Sequence, residues 1–558
     1  MSRYLITTGD ESTWKFDRPV VFLGKWCLKE GRREVWQALD YSVIDPDSID
    51  HALPDLYQQT QLLHSHLSVD LASALNSFHD LNFSNRFWRV ITGPWLRSFC
   101  DNFIFRWAYM NQAINEFHAN ESYSDFDDAD PVGHPRNFLE YRSSQKCQDW
   151  NQIIFSKMWH LMSNSELPSH PVGPPSELSS PRKNLAEPKN SMSVRRVVMT
   201  DTYLPRTSAA MLSILMRSRP ANSRRIAPPQ ATYDARSRSQ LRFPSAPKSR
   251  LHAIAREMVR DQILTAYVEG FSALINSVRR LRLPDTPRLI FTSNRHLYDD
   301  VFNTWVALAT ENGSKYFIGQ HGGHYGLSKF PSFSELHEDD ISDVYLTWGW
   351  KNTVKQVPGP CLKTIGMKYH PSAKPTHLLI VCDPLWKFPR SLFQDLTEHT
   401  GYLEYVASCV TGLPAKIQQD VLIRLNHAHA DTGSSQLEWW GEHAPTIAVD
   451  DGVGGMRKIA GDSRLVVSTN NGSTFLETLN LNIPTLITWD ESYAQLRPEA
   501  HAYLKRLEEV GIFHASQKSF IDHVTKHWDD IGTCGKANQC RRPDKCFATN
   551  TLEGNHIP

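Results

Sequence analysis

Residues 464 to 490 read RLVVSTNNGSTFLETLNLNIPTLITWD. A short apolar run breaks into serine, threonine, two asparagines and a glycine. A segment of helical period begins near Ser473, and a second apolar run follows Pro484. Strand, loop, helix and strand in so few residues describe one turn of an α/β fold with parallel strands.

The same rhythm recurs upstream. RLIFTSN is followed by DDVFNTWVALATENG, then by KYFIGQHGGHYG and VYLTWGW, and later by THLLIVCD and QDVLIRLNH. Short buried strands alternating with helices imply parallel sheets covered on both faces, with ligands bound at the carboxyl ends of the strands. Near the N-terminus RYLITT and PVVFLGKW are two further strands that end in polar loops. From about Asp55 to Glu116 the pattern is helical, and FWRVITGPWLRSFCDNFIFRWAYM reads as a buried helix pair. A long amphipathic helix is expected around IAREMVRDQILTAYVEGFSALINSV. Residues 163 to 193, rich in proline, serine and charge, read as a polar surface insertion.

At 558 residues the chain calls for two or three domains. Sixty basic and sixty acidic residues cancel, which gives no general attraction to nucleic acid, and none is expected as a partner. No apolar run approaches the ~20 residues of a spanning helix, and MSRYLITTGDESTW lacks the apolar core of a signal peptide, so the expected location is cytoplasmic. Nine cysteines are scattered, apart from a late group at Cys534, Cys540 and Cys546 whose spacing does not match structural zinc sites.

The polar clusters fall at strand ends. In STNNGSTFLETL the hydroxyls and free N–H groups at a helix N-terminus make an anion site, and Glu477, one turn on, is placed to accept from ribose hydroxyls. A helix cap by Ser473 or Thr474 accounts for the same composition. The segment has neither the Walker lysine nor GxGxxG, which disfavours a triphosphatase or a standard dinucleotide site. In IGQHGGHYG, residues 318 to 326, Gln320, His321 and His324 read as cleft-lining donors to a phosphate or as a base, with His321 the better anion partner. A tight turn, or a metal pair of His321 and His324, are the other readings, and no carboxylate run supports the metal. His337 and Glu338 are either a second wall of the cleft or a solvated helix end.

Taken in order, LITTGDESTWKFDRPVVFLGKWC, FWRVITGPWL, IFTSNRHLYDDVF, IGQHGGHYG with SDVYLTWGW, STNNGSTFLETLNLNIPTLITWD and LKRLEEVGIFH span most of the chain. Together they resemble a bacterial family of O-antigen and surface-polysaccharide transferases. Through the strand-end QHG the chain is more distantly similar to capsule glycosyltransferases and polyol-phosphate polymerases. The resemblance implies a GT-B-like fold: two Rossmann-like domains facing across a cleft, with an additional helical segment in the N-terminal half. Its expected divisions are an acceptor-side domain over 1–345, a nucleotide-sugar domain over 346–530 and a divergent tail over 531–558. The tail, the 163–193 insertion and the histidines of LNHAHADTG depart from the family pattern.

The resemblance further implies a glycosyltransferase that uses a nucleotide-activated sugar donor and a glycan or lipid-linked acceptor in surface polysaccharide biosynthesis. Peripheral docking at the inner membrane would follow from a lipid-linked acceptor. No cofactor and no metal are implied. Ser468, Thr469, Asn471, Ser473 and Thr474 would hold donor phosphate, with Gln320 and Gly322 on the donor side. Glu477 would hold the ribose, and Arg424 would meet the charge on the leaving nucleotide. Glu11 and His321 are the candidate bases, with Asp10 and His324 as their substitutes. Two other readings stay open: a catalytically silent scaffold of the same fold, and a polyol-phosphate transferase.

Overall fold

The computed structural model describes residues 2–45, 49, 52–125, 130–164, 167, 197–216, 225–369, 372–388, 399–427, 429, 436–489 and 495–531. Nearly all of the expected 163–193 insertion, and the tail with Cys534, Cys540 and Cys546, lie outside the described residues.

Fifteen strands among the described residues form three sheets, and every pairing within the sheets is parallel. The N-terminal sheet holds β1 (Arg3–Ile6), β2 (Val20–Phe22), β3 (Tyr41–Val43) and β4 (Ala119–Ser122) in the order β3-β2-β1-β4. The central sheet runs in chain order through β5 (Val197–Met199), β6 (Leu289–Thr292), β7 (Lys315–Gly319), β8 (Val344–Thr347) and β9 (Gln356–Pro358). The C-terminal sheet holds β10 (His377–Val381), β11 (Val421–Arg424), β12 (Ala448–Asp450), β13 (Ser463–Ser468), β14 (Thr485–Thr488) and β15 (Phe513–His514). Its order is β12-β11-β10-β13-β14-β15, which is the doubly wound Rossmann order. The strand order reverses between β10 and β13, and likewise between β1 and β4. Each reversal opens a crevice at the strand carboxyl ends.

The expected α/β fold with Rossmann-like parallel sheets is present. Its N-terminal half holds two sheets rather than one, and they share a single core in which Leu5, Val21, Ile290 and Ile318 are all buried. Alternate strand residues serve opposite faces. Tyr4 and Ile6 pack into a separate cluster from Leu5, and Leu379 into a separate cluster from Leu378 and Ile380. The division expected at 345 and 346 cuts through β8. A division between Pro358 and His377 leaves both sheets whole, and it is the one we propose.

Two long helices fill the shared core, α1 (Leu53–His79) and α2 (Asn85–Asn115). Buried Trp88, Ile91, Trp95 and Ile104 line α2, and large apolar side chains of this kind each stabilise by about 1.5–3 kcal/mol. The segment expected to be a helix pair is therefore one helix, with Pro94 in its interior. Packing outweighs the lost hydrogen bond at Pro94 because the surrounding turns are buried on nearly every side. The preceding Gly93 lets the ring of His337 lie against the α2 backbone, where a Cβ would collide with it.

After β5 comes α3 (Arg206–Leu215). The long amphipathic helix expected near residue 254 is instead two helices, α4 (Arg250–Gln262) and α5 (Phe271–Val278). Between them the N–H groups of Thr265 and Ala266 donate to the carbonyls of Pro135 and Arg136, so they are unavailable to the helix. The site is completed by α6 (Phe333–Ile341) and α7 (Ser473–Asn480). Among the described residues no helix is long and apolar enough to cross a membrane.

Candidate functional site

The loop after β7 and the loop after β13 meet backbone to backbone. A Cβ on Gly323 would overlap Gly472 and Ser473, so only glycine permits this approach. Asn471 Nδ2 donates to Ser328 Oγ at 3.1 Å. Beside it the N–H of Lys329 donates to the Gln495 carbonyl, and that of Arg497 to the Leu327 carbonyl. Arg497 also reaches back to Glu335, 2.5 Å away, and stands over the Trp350 ring. Burial raises the Glu335 carboxyl to about 7, against the opposing pull of Arg497.

On the central sheet, Gln320 is fully buried and braces its loop. Its Nε2 donates to the Gly322 carbonyl at 2.6 Å, and its Oε1 accepts from Trp348 N at 2.7 Å and Trp350 Nε1 at 2.8 Å. Three internal bonds make it scaffold rather than a donor-side ligand. His321 is half-buried, with Nδ1 3.0 Å from Glu338 Oε1 and Nε2 3.4 Å from the Tyr325 hydroxyl. Glu338, on α6, is fully buried, so it is not part of a solvated helix end. It also receives His296 Nε2 at 3.2 Å and the Tyr345 hydroxyl at 2.8 Å. Burial pushes its carboxyl up, but the charges of His321 and His296 and their hydrogen bonds outweigh that and hold it below the usual carboxylate range. Glu338 therefore stays charged beneath His321. His324 turns toward Ser332, 3.2 Å from its hydroxyl, and burial lowers the ring to about 3.

On the C-terminal sheet the segment Ser468–Thr474 lies at the β10/β13 reversal. Its members divide by burial. Ser468 and Thr469 are buried, and their hydroxyls donate to the carbonyls of Asn470 and Val381. The caps expected of Ser473 or Thr474 do not form: Gly472 is the cap residue of α7, and no side chain caps it. Ser473 and Thr474 stand half-buried in the first turn beside those N–H groups.

Glu477 is ion-paired with Lys363 Nζ at 2.8 Å, and that ammonium lies 5.1 Å over the Tyr203 ring. The Tyr203 ring is in turn 6.1 Å from the ring of His321. His321, Tyr203, Lys363 and Glu477 of α7 thus form one chain of contacts. Two further expected residues are held elsewhere in the fold. Arg424 is buried and committed to Asp450 at 2.5 Å and to the carbonyls of Gly452 and Gly454, so it shapes that loop and is not available to a leaving group. Glu11 lies at the β1/β4 reversal, held by two bonds from Arg32 at 2.9 and 2.8 Å, and the Arg32 hydrogen bond lowers its pKa. Both features make it a weak base.

Sequence reading passed over Lys363 and Tyr203, which no motif marks, and left Glu338 undecided. In FSELHEDDI, however, stepping back from Ile341 by three and four residues reaches Glu338 and His337 on the buried face.

Among curated proteins none matches the sequence. Among solved structures, the crystal structure of Acinetobacter baumannii MurG is similar over 64% of this chain and 98% of its own, at 12% identity and a TM-score of 0.32, too loose a likeness to carry an argument. The sequence matches the model of the LIC12162 family transferase over residues 3–533, and the chain belongs to that family of transferases.

Proposed function

We propose that this transferase moves a glycosyl group from a nucleotide-activated sugar to a hydroxyl of a glycan or lipid-linked acceptor, in the making of a surface polysaccharide. The observation that carries the reading is the α7 N-terminus, without a side-chain cap, set at the reversal of a Rossmann sheet and in backbone contact with the loop whose His321 is backed by a buried carboxylate. A helix N-terminus stabilises a phosphate through its free N–H groups and its dipole. We assign the donor phosphate to that end, with the Ser473 and Thr474 hydroxyls beside it and Lys363 close by.

In the transfer the bond between the anomeric carbon and the phosphate oxygen breaks while the acceptor oxygen bonds to that carbon. The electron pair leaves on the nucleotide phosphate, where α7 and Lys363 offset the charge. The acceptor proton passes to His321 Nε2. Glu338, opposite Nδ1, holds the ring in the tautomer that leaves Nε2 basic and stabilises the imidazolium that forms. His321 is a better base than Glu11, because Arg32 occupies the carboxylate of Glu11. Glu477 remains the candidate for the ribose, within reach once Lys363 turns to the phosphate. No step of this scheme uses a metal, and transfer is expected to survive a chelator.

The test is thermal stabilisation by a panel of nucleoside mono- and diphosphates, followed by mass analysis of products from matching nucleotide sugars. A nucleotide at 100 times its Kd stabilises by about 2.7 kcal/mol. A Ser473→Ala, Thr474→Ala double variant is expected to lose most of that shift. If no nucleotide raises the Tm, the protein is a scaffold; a phosphodiester in the product assigns it to polyol-phosphate transfer.

A further inference from the structure

We infer that the crevice at the β1/β4 reversal is a second anion site, which holds a phosphate group of the acceptor. Past β1 the chain bends at Thr8 and Gly9, and two ammonium side chains converge on the bend. A Cβ on Gly9 would lie 3.3 Å from Lys29 Cε and 3.6 Å from Gln148 Oε1, so both side chains lie against bare backbone there. Lys387 reaches the same amide from the C-terminal half, its Nζ 3.4 Å from Gln148 Oε1. A third ammonium, that of Lys146, stands 5.4 Å over the ring of the neighbouring Trp386.

These charges are not offset from within the fold. Among the described residues neither Lys29 nor Lys387 is ion-paired with a carboxylate. The acidic residues of the same loop are committed elsewhere: Asp10 Oδ1 accepts from the N–H and hydroxyl of Ser12 at 3.1 and 2.8 Å, and Glu11 accepts from Arg32. Lys387 is half-buried, and burial, then the like charge of Lys29, lowers its pKa. Like charges brought together and partly withdrawn from water cost free energy unless an anion joins them. A phosphate monoester or a diphosphate, with about two negative charges, matches two ammonium groups where a carboxylate matches one. The bend is also held in place for it, since Trp14 Nε1 donates to the Thr8 carbonyl and Trp26 Nε1 to the Thr7 carbonyl, each at 3.0 Å.

Lys387 also places this site relative to the donor. It stands on the loop after β10, which leaves the β10/β13 reversal where the Thr469 hydroxyl donates to the Val381 carbonyl at 2.8 Å. That loop runs from the crevice assigned to the donor phosphate to the crevice of the N-terminal sheet. A molecule anchored by its phosphate at Lys29 and Lys387 is therefore held between the two. The inference rests on the proposed glycosyl transfer only for calling that molecule the acceptor, since binding of the anion does not depend on it.

The experiment is titration calorimetry of the full chain with inorganic pyrophosphate. Two binding events are expected, one at the α7 N-terminus and one at this crevice. A Lys29→Met, Lys387→Met variant should weaken the second at least about tenfold and leave the nucleotide-dependent rise in Tm as it was. Lys387→Arg, which keeps the charge, should retain both, and the Ser473→Ala, Thr474→Ala variant should lose only the first. Because no ion pair is removed, the Tm of the free lysine variant should not fall. Undiminished pyrophosphate binding by that variant, or no binding by the unaltered chain beyond the α7 N-terminus, overturns the inference. So does loss of nucleotide stabilisation in the lysine variant, which would put both lysines in the donor site. Displacement of the second pyrophosphate by farnesyl diphosphate assigns the site to a lipid-linked phosphate, and displacement by glucose 1-phosphate to a soluble one. Pyrophosphate binding here without transfer from any nucleotide sugar would keep the anion site and reject the glycosyl-transfer reading alone.

Discussion

At the scale of single residues, the site depends on a carboxylate that water does not reach. Glu338 has no exposed side-chain surface and is shared by His321 and His296, so side chains rather than solvent surround its carboxylate. If His321 is the base, His321→Ala should lower kcat by roughly 10²–10⁴-fold, the usual worth of a positioned proton acceptor, with little change in KM. Glu338→Gln keeps the volume and removes the charge, and should lower kcat while also reducing stability, since the histidines lose a buried partner. Steady-state kinetics beside thermal melts separates the two variants, and unchanged turnover in His321→Ala would return the loop to a structural turn. The sequence pointed to His321 because glycines and histidines at a strand end are an unusual combination. It could not show that Gln320 and Arg424 would be spent inside the fold, because a side chain's partners come from segments far away in the chain. Arg424 meets Asp450 of the neighbouring strand, and Gln320 meets Trp348 and Trp350 in the loop after β8.

At the scale of elements, periodicity located strands well and helix ends poorly. The apolar runs at Leu289, Lys315 and Leu465 became β6, β7 and β13 because a buried parallel strand needs little more than a short run of apolar residues. The continuous α2 and the break between α4 and α5 were not legible, because tertiary contacts decided both: burial carried α2 through Pro94, and the carbonyls of Pro135 and Arg136 took the N–H groups that would have joined α4 to α5. The C-terminal end of α1 is held in a similar way. There His79 Nε2 lies 2.9 Å from the Tyr267 carbonyl, and its ring stacks on Phe271 at 4.5 Å. Burial lowers His79 to about 4, only partly opposed by the Tyr267 carbonyl. The unfolded chain, with an ordinary histidine near 6.5, binds more protons between those two values, so stability is complete above about 6.5 and is lost as pH falls toward 4. The loss due to His79 should reach about 3 kcal/mol. His79→Gln retains a donor toward Tyr267 and should flatten that part of a stability-against-pH curve measured by urea unfolding. An unchanged slope would mean that the ring is already protonated in the fold.

At the scale of the whole molecule, the central and C-terminal sheets are joined at the site itself. Gly323 against Gly472 and Ser473, Asn471 to Ser328, Arg497 to Glu335 and Lys363 to Glu477 all cross between the segment that carries His321 and the sheet that carries α7. Nothing in the sequence pairs these positions, which lie more than a hundred residues apart, although both loops stood out as strand ends with polar residues. A seam of backbone contacts and ion pairs is the kind of junction that opens and closes around a ligand. The Lys363–Glu477 pair reports on it, because each side chain is only about a quarter exposed and they belong to opposite sides. A double-mutant cycle with Lys363→Met and Glu477→Gln should give a coupling of about 1 kcal/mol in the free protein, since solvent still screens the pair in part, and less at high salt. If Lys363 turns to the donor phosphate, the same cycle measured with saturating nucleotide should show the coupling shrink toward zero, because the ammonium then has a new partner. A coupling that stays the same with nucleotide bound would leave Lys363 a fixed strut of the seam and remove it from the transfer.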